Sequence, residues 1–225
     1  MARADLSRDA IVERAMQLAD AEGLEAVTIR RLATELGVTP MALYWHVKNK
    51  DELLDAMGDA LFESIDLSAL TEGTWDEQLE ATVRAMVEAL RRHPTCTPLA
   101  FRRVLACEPG QQLTEHVLRL LRTAGFDPRR TANIATHSLQ TAIMLVLGEP
   151  GAEPGTTTEE AEARLDAKRA ALRRLPADRY PYIREMAEDM LECKDSDGYY
   201  DFGVALFVSG ARATLHDRVP AGSRA

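Results

Sequence analysis

Apolar side chains recur along most of this chain at intervals of three and four residues, the repeat of amphipathic helices, and no alternating β-branched run of strand length interrupts them. Ser7 is placed to cap a first helix that buries Ile11, Ala15, Leu18 and Ala19 and ends at Gly23. Leu32, Ala33 and Leu36 then form a stripe at i, i+1 and i+4 that stops at Gly37, the residue type most tolerant of the left-handed conformation that closes a helix. Two residues later Thr39 can accept orphan amide hydrogens while Pro40 takes the first helical position, so a second helix starts at once. It is expected to point Leu43 and Val47 inward and to end near Lys48 and Asn49. Asn49, with Glu52 three residues on, has the spacing of a capping box, and opens a helix carrying Leu53, Leu54, Met57 and Leu61 to about Ser64.

The rest of the chain continues in helices. Gly73, Thr74 and Trp75 introduce one with Leu79, Val83, Met86 and Leu90 on a single face, ending near His93 and Pro94. Residues 97–107 read as short helix or irregular chain, EPGQQ opens a helix to Gly125, and Asp127 and Pro128 start a long one to about Gly148. The run EPGAEPGTTT, 149–158, has the composition of a mobile loop. A charged helix over about 159–175 follows, then one from Pro181 to about Cys193, a polar KDSDG turn, and a last helix from Asp201 to about Asp217. In that last helix the small residues Gly203, Ala205, Ser209, Gly210 and Ala213 lie beside Phe202, Leu206 and Phe207. Such a surface is apolar on more than one side and suits either a dimer seam or ordinary core packing.

The segment TIRRLATELGVTPMALYWHVKNK carries the most specific chemistry. A helix, a three-residue turn with glycine and a short helix make a helix-turn-helix. With Leu43 and Val47 buried, Thr39, Pro40, Met41, Ala42, Tyr44 and His46 are left for a major groove, which admits one helix. Thr28 and Arg30 stand at the start of the first helix, where a hydroxyl, a guanidinium and unpaired amides can meet a phosphate. Lys48 and Lys50 add cations at the far end. Any two short helices around a glycine share this outline, but three consecutive rings, Tyr44, Trp45 and His46, are unusual for a bland surface.

EGLEAVTIRRLATELGV followed by LYWHVKNKDELLDAM resembles the tetracycline-repressor (TetR) family of bacterial transcriptional regulators over roughly residues 7–64. The resemblance implies a homodimer whose two headpieces read half-sites of a palindromic operator in double-stranded DNA, paired through a four-helix bundle, with repression released by a small-molecule inducer bound in a helical C-terminal domain. It assigns phosphate and base contacts to Thr28, Arg30, Pro40, Met41, Tyr44, His46 and Lys50, to which the groove argument adds Thr39. Pro40 and Met41 stand where the tetracycline repressors have Gln and Pro, so a shared operator sequence is not implied. Ala100 stands where those proteins place the His of a drug–magnesium site, which argues against that ligand. The expected fold is all-α: residues 1–50 an N-terminal three-helix helix-turn-helix DNA-binding domain, 51–66 a connecting helix, and 67–225 a C-terminal helical ligand-binding and dimerisation domain.

A formal charge of −9 looks wrong for a DNA binder, whose affinity comes largely from neutralising phosphates. Its distribution removes the objection. Residues 1–50 hold seven Lys and Arg against seven acids, and the remainder holds 20 against 29. The deficit therefore belongs to the body, which disfavours non-specific adherence to DNA. Three cysteines at no metal-like spacing read as reduced thiols. The start MARADLSRDAIVERAM has no apolar core of a signal peptide, and no stretch approaches 18 uninterrupted apolar residues, so the expectation is a cytoplasmic protein without a membrane partner.

An inducer cavity between body helices would be mainly apolar with a few polar groups. Met86, Leu90, Phe101, Leu105, Phe126 and Met144 are candidate walls, and Thr82, Arg102, Arg103, His116, His137 and Gln140 candidate polar contacts. The basic pair Arg102 and Arg103 would favour a carboxylated or phenolic inducer. An enzyme is the main rival reading, but no Glu is followed three residues later by His, and no G-x-S-x-G, H-E-x-x-H, P-loop or dinucleotide fingerprint occurs. HPTC lacks a second ligand pair for a metal, and no cofactor is expected. A helical adaptor or nonspecific nucleoid protein would need general basicity, which the charge balance contradicts.

Overall fold

A computed structural model describes residues 6–151 and 158–216, and every regular element among them is helical. In chain order these are α1 (Arg8–Glu22), α2 (Ile29–Leu36), α3 (Pro40–Tyr44), α4 (Lys50–Glu63), α5 (Trp75–Arg91), α6 (Thr97–Arg103), α7 (Glu108–Thr123), α8 (Pro128–Leu147), α9 (Thr158–Arg173), α10 (Pro181–Glu185), α11 (Ala187–Leu191) and α12 (Ser196–His216).

Local chemistry sets most of the boundaries. The hydroxyls of Ser7, Thr28 and Thr39 accept from the amides of Ala10, Arg31 and Ala42, three residues on in each case, and so start α1, α2 and α3. Gly37 sits at φ 65° and closes α2 with its amide on the Ala33 and Thr34 carbonyls. Thr74 and Glu77 form a full capping box on α5.

Three boundaries and one cap differ from the sequence expectation, each for a visible reason. The reading helix α3 ends at Tyr44 rather than near Lys48, because the chain must reach an extended Asn49 (φ −159°) that caps α4. Glu52 does not return to Asn49; its carboxylate accepts from the Lys48 amide at 2.8 Å. The helix expected from Pro181 to Cys193 breaks at Met186 into α10 and α11. Each piece is fastened to α9, Arg184 donating to the Arg173 and Leu175 carbonyls and Arg169 pairing with Glu188 and Glu192. The KDSDG segment is no separate turn. Asp195 accepts from the Gly198 amide at 2.9 Å and α12 begins at Ser196. Of the loop expected over 149–158, residues 152–157 lie outside the described residues.

The apolar stripes meet in one continuous core. α1 packs on α2 and α4, and Ile11, Leu32, Leu43, Val47 and Leu53 are fully buried between them. α5 is the central strut of the body, against α7, α8 and α12, and the ring edge of Trp75 meets Phe126 with centroids 5.1 Å apart. α4 runs between the two parts and packs on α6 and α7 as well as on α1. Gly58 makes the α4–α6 contact possible, since a Cβ there would stand 2.5 Å from Cγ of Arg103 and 3.2 Å from Cβ of Leu99. A polar tie supplements it. Asp20 of α1 receives His93 Nδ1 at 2.7 Å and the Thr95 amide at 3.2 Å from the turn after α5.

Candidate DNA interface and ligand cavity

The helix-turn-helix displays its candidate contacts together. Leu43 and Val47 are fully buried, which rotates Thr39, Pro40, Met41 and Tyr44 outward, Met41 with 67% of its surface exposed. Thr28 and Arg30 are exposed at the start of α2, and His46 and Lys50 are partly exposed at the far end. Trp45, absent from the contact set drawn from the sequence, is the most exposed large side chain on this face at 85%. It projects because α3 stops one residue earlier, so the ring leaves the helix at its cap. The signal was present in the triplet of rings, already read as exposed, and the early end of α3 accounts for how far Trp45 projects.

Charge on this face is sorted by ion pairing. Arg31 is held by Glu22 and Glu35, both at 2.6 Å, and Arg14 also pairs with Glu35. The Arg14 hydrogen bond, then the charge of Arg31, holds the Glu35 carboxyl below the usual carboxylate range. Arg30, Lys48 and Lys50 form no ion pair with the described residues. The headpiece is neutral in sum, yet Glu22 and Glu35 are taken up by Arg14 and Arg31, while Arg30, Lys48 and Lys50 stand around α3.

In the body, α5, α6, α7 and α8 enclose a cavity of about 430 Å³. This is within the range of roughly 300–1,000 Å³ typical of small-molecule sites. Met86, Leu113, Val117 and Leu139 form its floor as buried apolar residues; Phe101, Val104 and Leu105 come from α6 and the turn after it; Thr114, Thr136, Ser138 and Gln140 are its polar members. Leu118, Ala132 and Ala135 complete the lining, and none of these side chains carries a charge.

The cavity thus gathers Met86, Phe101, Leu105 and Gln140 from the residues singled out in the sequence and leaves the others elsewhere. Arg103 turns away from it toward α4, where Nε reaches Asp59 at 2.6 Å and Nη1 reaches Asp55 at 3.2 Å. Arg102 is exposed, 3.6 Å from Asp55. The expected basic wall is therefore not there; both guanidiniums face carboxylates of the connecting helix. Thr82 and His116 pair behind the lining at 3.4 Å, Thr82 being fully buried with its hydroxyl on the Gln78 carbonyl. Burial, and then the charge of Arg119, pushes the His116 pKa down. Leu90 and Phe126 are core residues, and Met144 lies exposed on α8. Ala132, Ala135 and Thr136 of α8 were the signal for the cavity wall: at helical spacing these small side chains form a face too slight to fill the gap to α7.

α12 has two apolar faces. Tyr200, Val204, Val208 and Ala211 are buried against α5 and α8, while Phe202, Ala205, Leu206, Ser209, Gly210 and Ala213 form an exposed stripe at i, i+3, i+4, i+7, i+8 and i+11. Gly203 belongs to neither seam nor stripe; it admits the Leu145 side chain of α8. Beside the stripe a groove between α8 and α12 is lined by His137, Thr141, Leu206 and Gly210, which places His137 here rather than in the cavity.

Two family models match the chain: "Bacterial regulatory proteins, tetR family" over residues 11–57, and "Tetracyclin repressor-like, C-terminal domain" over 67–215. The chain belongs to the TetR family. Among relatives of this TetR chain, the HTH-type transcriptional repressor DrrR1 of Streptomyces coeruleorubidus is 33% identical over 226 residues, covering 95% of this chain and 80% of that one. The tetracycline repressor protein class C of Escherichia coli is 28% identical over 225 residues, 94% of each chain. The crystal structure of the Streptomyces coelicolor TetR family protein ActR in complex with actinorhodin superposes with a TM-score of 0.73 at 29% identity, over 95% of this chain and 100% of that one. This TetR-family chain is accordingly an all-α, ligand-responsive DNA-binding transcriptional regulator, and its relatives are regulators rather than enzymes. No helix among its described residues is long and apolar enough to cross a membrane.

Proposed function

We propose that the chain acts in the cytoplasm as a homodimeric repressor, released from a palindromic operator when a small organic molecule fills the α5–α8 cavity. In this reading residues 1–50 are the headpiece, 51–66 the connecting helix and 67–225 the body. Thr28, Arg30, Thr39, Pro40, Met41, Tyr44, Trp45, His46 and Lys50 meet the DNA. Two α3 helices enter successive major grooves about 34–36 Å apart. The exposed α12 stripe and the neighbouring face of α8 supply the two-fold seam that such an operator requires.

The observation that carries the switch is the double duty of α6. Phe101 and Val104 line the cavity, while Arg103 between them grips Asp59 and Asp55 of α4. A ligand that displaces α6 must then move α4 or break the pairs, and α4 is packed directly on α1 of the headpiece. Moving α4 changes the separation of the two reading helices, and operator affinity changes with it.

The test is operator binding by fluorescence anisotropy, with and without a ligand drawn from a thermal-shift screen. Arg103→Ala should keep operator and ligand binding within about threefold of wild type while cutting ligand-induced release tenfold or more, a loss of about 1.4 kcal/mol of coupling. A ligand that binds tightly and leaves operator affinity unchanged would refute the switch.

A further inference from the structure

The cavity lining is complete enough to state what kind of molecule it takes, an inference that rests on reading the cavity as the regulatory site. Of its four polar side chains Thr114, Ser138 and Gln140 have part of their hydrogen-bonding capacity already committed, and Thr136 makes no hydrogen bond with the described residues. The Ser138 hydroxyl donates to the Ala135 carbonyl at 2.7 Å and the Thr114 hydroxyl to the Gly110 carbonyl at 2.8 Å. Both oxygens are thereby left with lone pairs only and can accept but not donate. Gln140 is fixed in the opposite sense: its carbonyl oxygen takes His137 Nδ1 at 2.8 Å, which leaves its amide NH2 to donate.

Charge is excluded on both sides. No Lys, Arg, Asp or Glu lines the cavity, and the guanidiniums of the adjoining helix are closed off by Asp55 and Asp59. An anion entering would lose water without meeting a cation, and a cation would lose water without meeting a carboxylate. We propose that the cavity is selective for an uncharged, mainly apolar organic molecule bearing a carbonyl oxygen for the Gln140 amide and a hydroxyl hydrogen for Ser138 or Thr114. The carboxylated inducer suggested by the Arg102–Arg103 pair is thereby replaced by a neutral hydroxy-ketone.

The test uses two probes with one skeleton, 2-(hydroxymethyl)anthraquinone and anthraquinone-2-carboxylate, titrated by calorimetry into the full, DNA-free chain at pH 7.5. The neutral probe should bind at least tenfold more tightly than the carboxylate. Gln140→Leu should weaken the neutral probe fivefold or more with an unchanged melting temperature. Thr136→Lys, at an exposed lining position of α8, should bring the carboxylate to equal or tighter binding. Equal binding of the two probes to wild type, tighter binding of the carboxylate, or binding of neither overturns the assignment, and indifference to Gln140→Leu overturns the role of its amide. Operator selection on the ligand-free protein is run separately. Failure to recover any operator would count against the repressor reading and leave the probe preference standing, whereas a recovered operator with no probe preference sinks this inference alone.

Discussion

Two consecutive arginines show how much a single side chain's surroundings decide. Arg30 and Arg31 are the same residue type side by side, yet Arg31 is enclosed by Glu22 and Glu35 whereas Arg30, the one singled out from the sequence, is exposed and pairs with none of the described residues. The pairs of Arg31 are part-exposed at the surface, so their contribution to stability is small. Arg30→Ala should remove a contact to a base edge or phosphate, worth about 1–3 kcal/mol if bidentate to guanine. The expected result is operator affinity lower by about five- to 150-fold with unaltered thermal stability. Retention of wild-type affinity in anisotropy titrations would show that Arg30 stands clear of the DNA.

At the scale of elements, the helix-turn-helix was legible because its signals are local: a cap, a glycine and an inward stripe all lie within a few residues of the boundaries they set. α6 and the α10–α11 pair were not, since their limits come from partners remote in the chain. Arg103 is 44 residues from Asp59, and Arg169 is 19 and 23 residues from Glu188 and Glu192. Gly58 belongs to the same class. Nothing around it in sequence asks for glycine, yet α6 crosses there too closely for a side chain. Gly58→Val should force α4 and α6 apart, costing about 1–3 kcal/mol through overpacking. Its signature in a chemical denaturation series would be this loss together with weakened coupling between ligand and operator. A variant as stable and as responsive as wild type would mean that the contact yields without consequence.

Across the whole molecule two further outcomes follow. The α12 stripe leaves Leu206 64% exposed beside the α8 groove, the surface proposed above as the two-fold seam. Leu206→Glu should shift the chain to monomer in size-exclusion chromatography with light scattering, and lower operator affinity tenfold or more because one headpiece reads one half-site. A dimer that survives this change would place the seam elsewhere. The second outcome concerns acid. Burial lowers the His116 pKa in the folded protein, so the unfolded chain binds a proton first as pH falls below about 6.5. The stability associated with a neutral His116 is complete above that pH and declines between it and the lower folded value. Between pH 7.5 and 5.5 the wild type should therefore lose more thermal stability than His116→Gln. Parallel losses in both proteins would exclude His116 as the cause.

The amino-acid sequence by itself determined the all-helical class, the helix-turn-helix with its outward face, and the two-sided last helix, because periodicity, capping and turn chemistry act over a few residues. Tertiary structure decided which polar groups are spent on the fold and which remain for ligands. It sent Arg103 to α4 instead of the cavity, set Thr82 and His116 behind the lining, moved His137 to the α12 groove, and opened the wall of small residues on α8. Those outcomes depend on how one helix is rotated against another, and on charges and volumes brought together from distant parts of the chain.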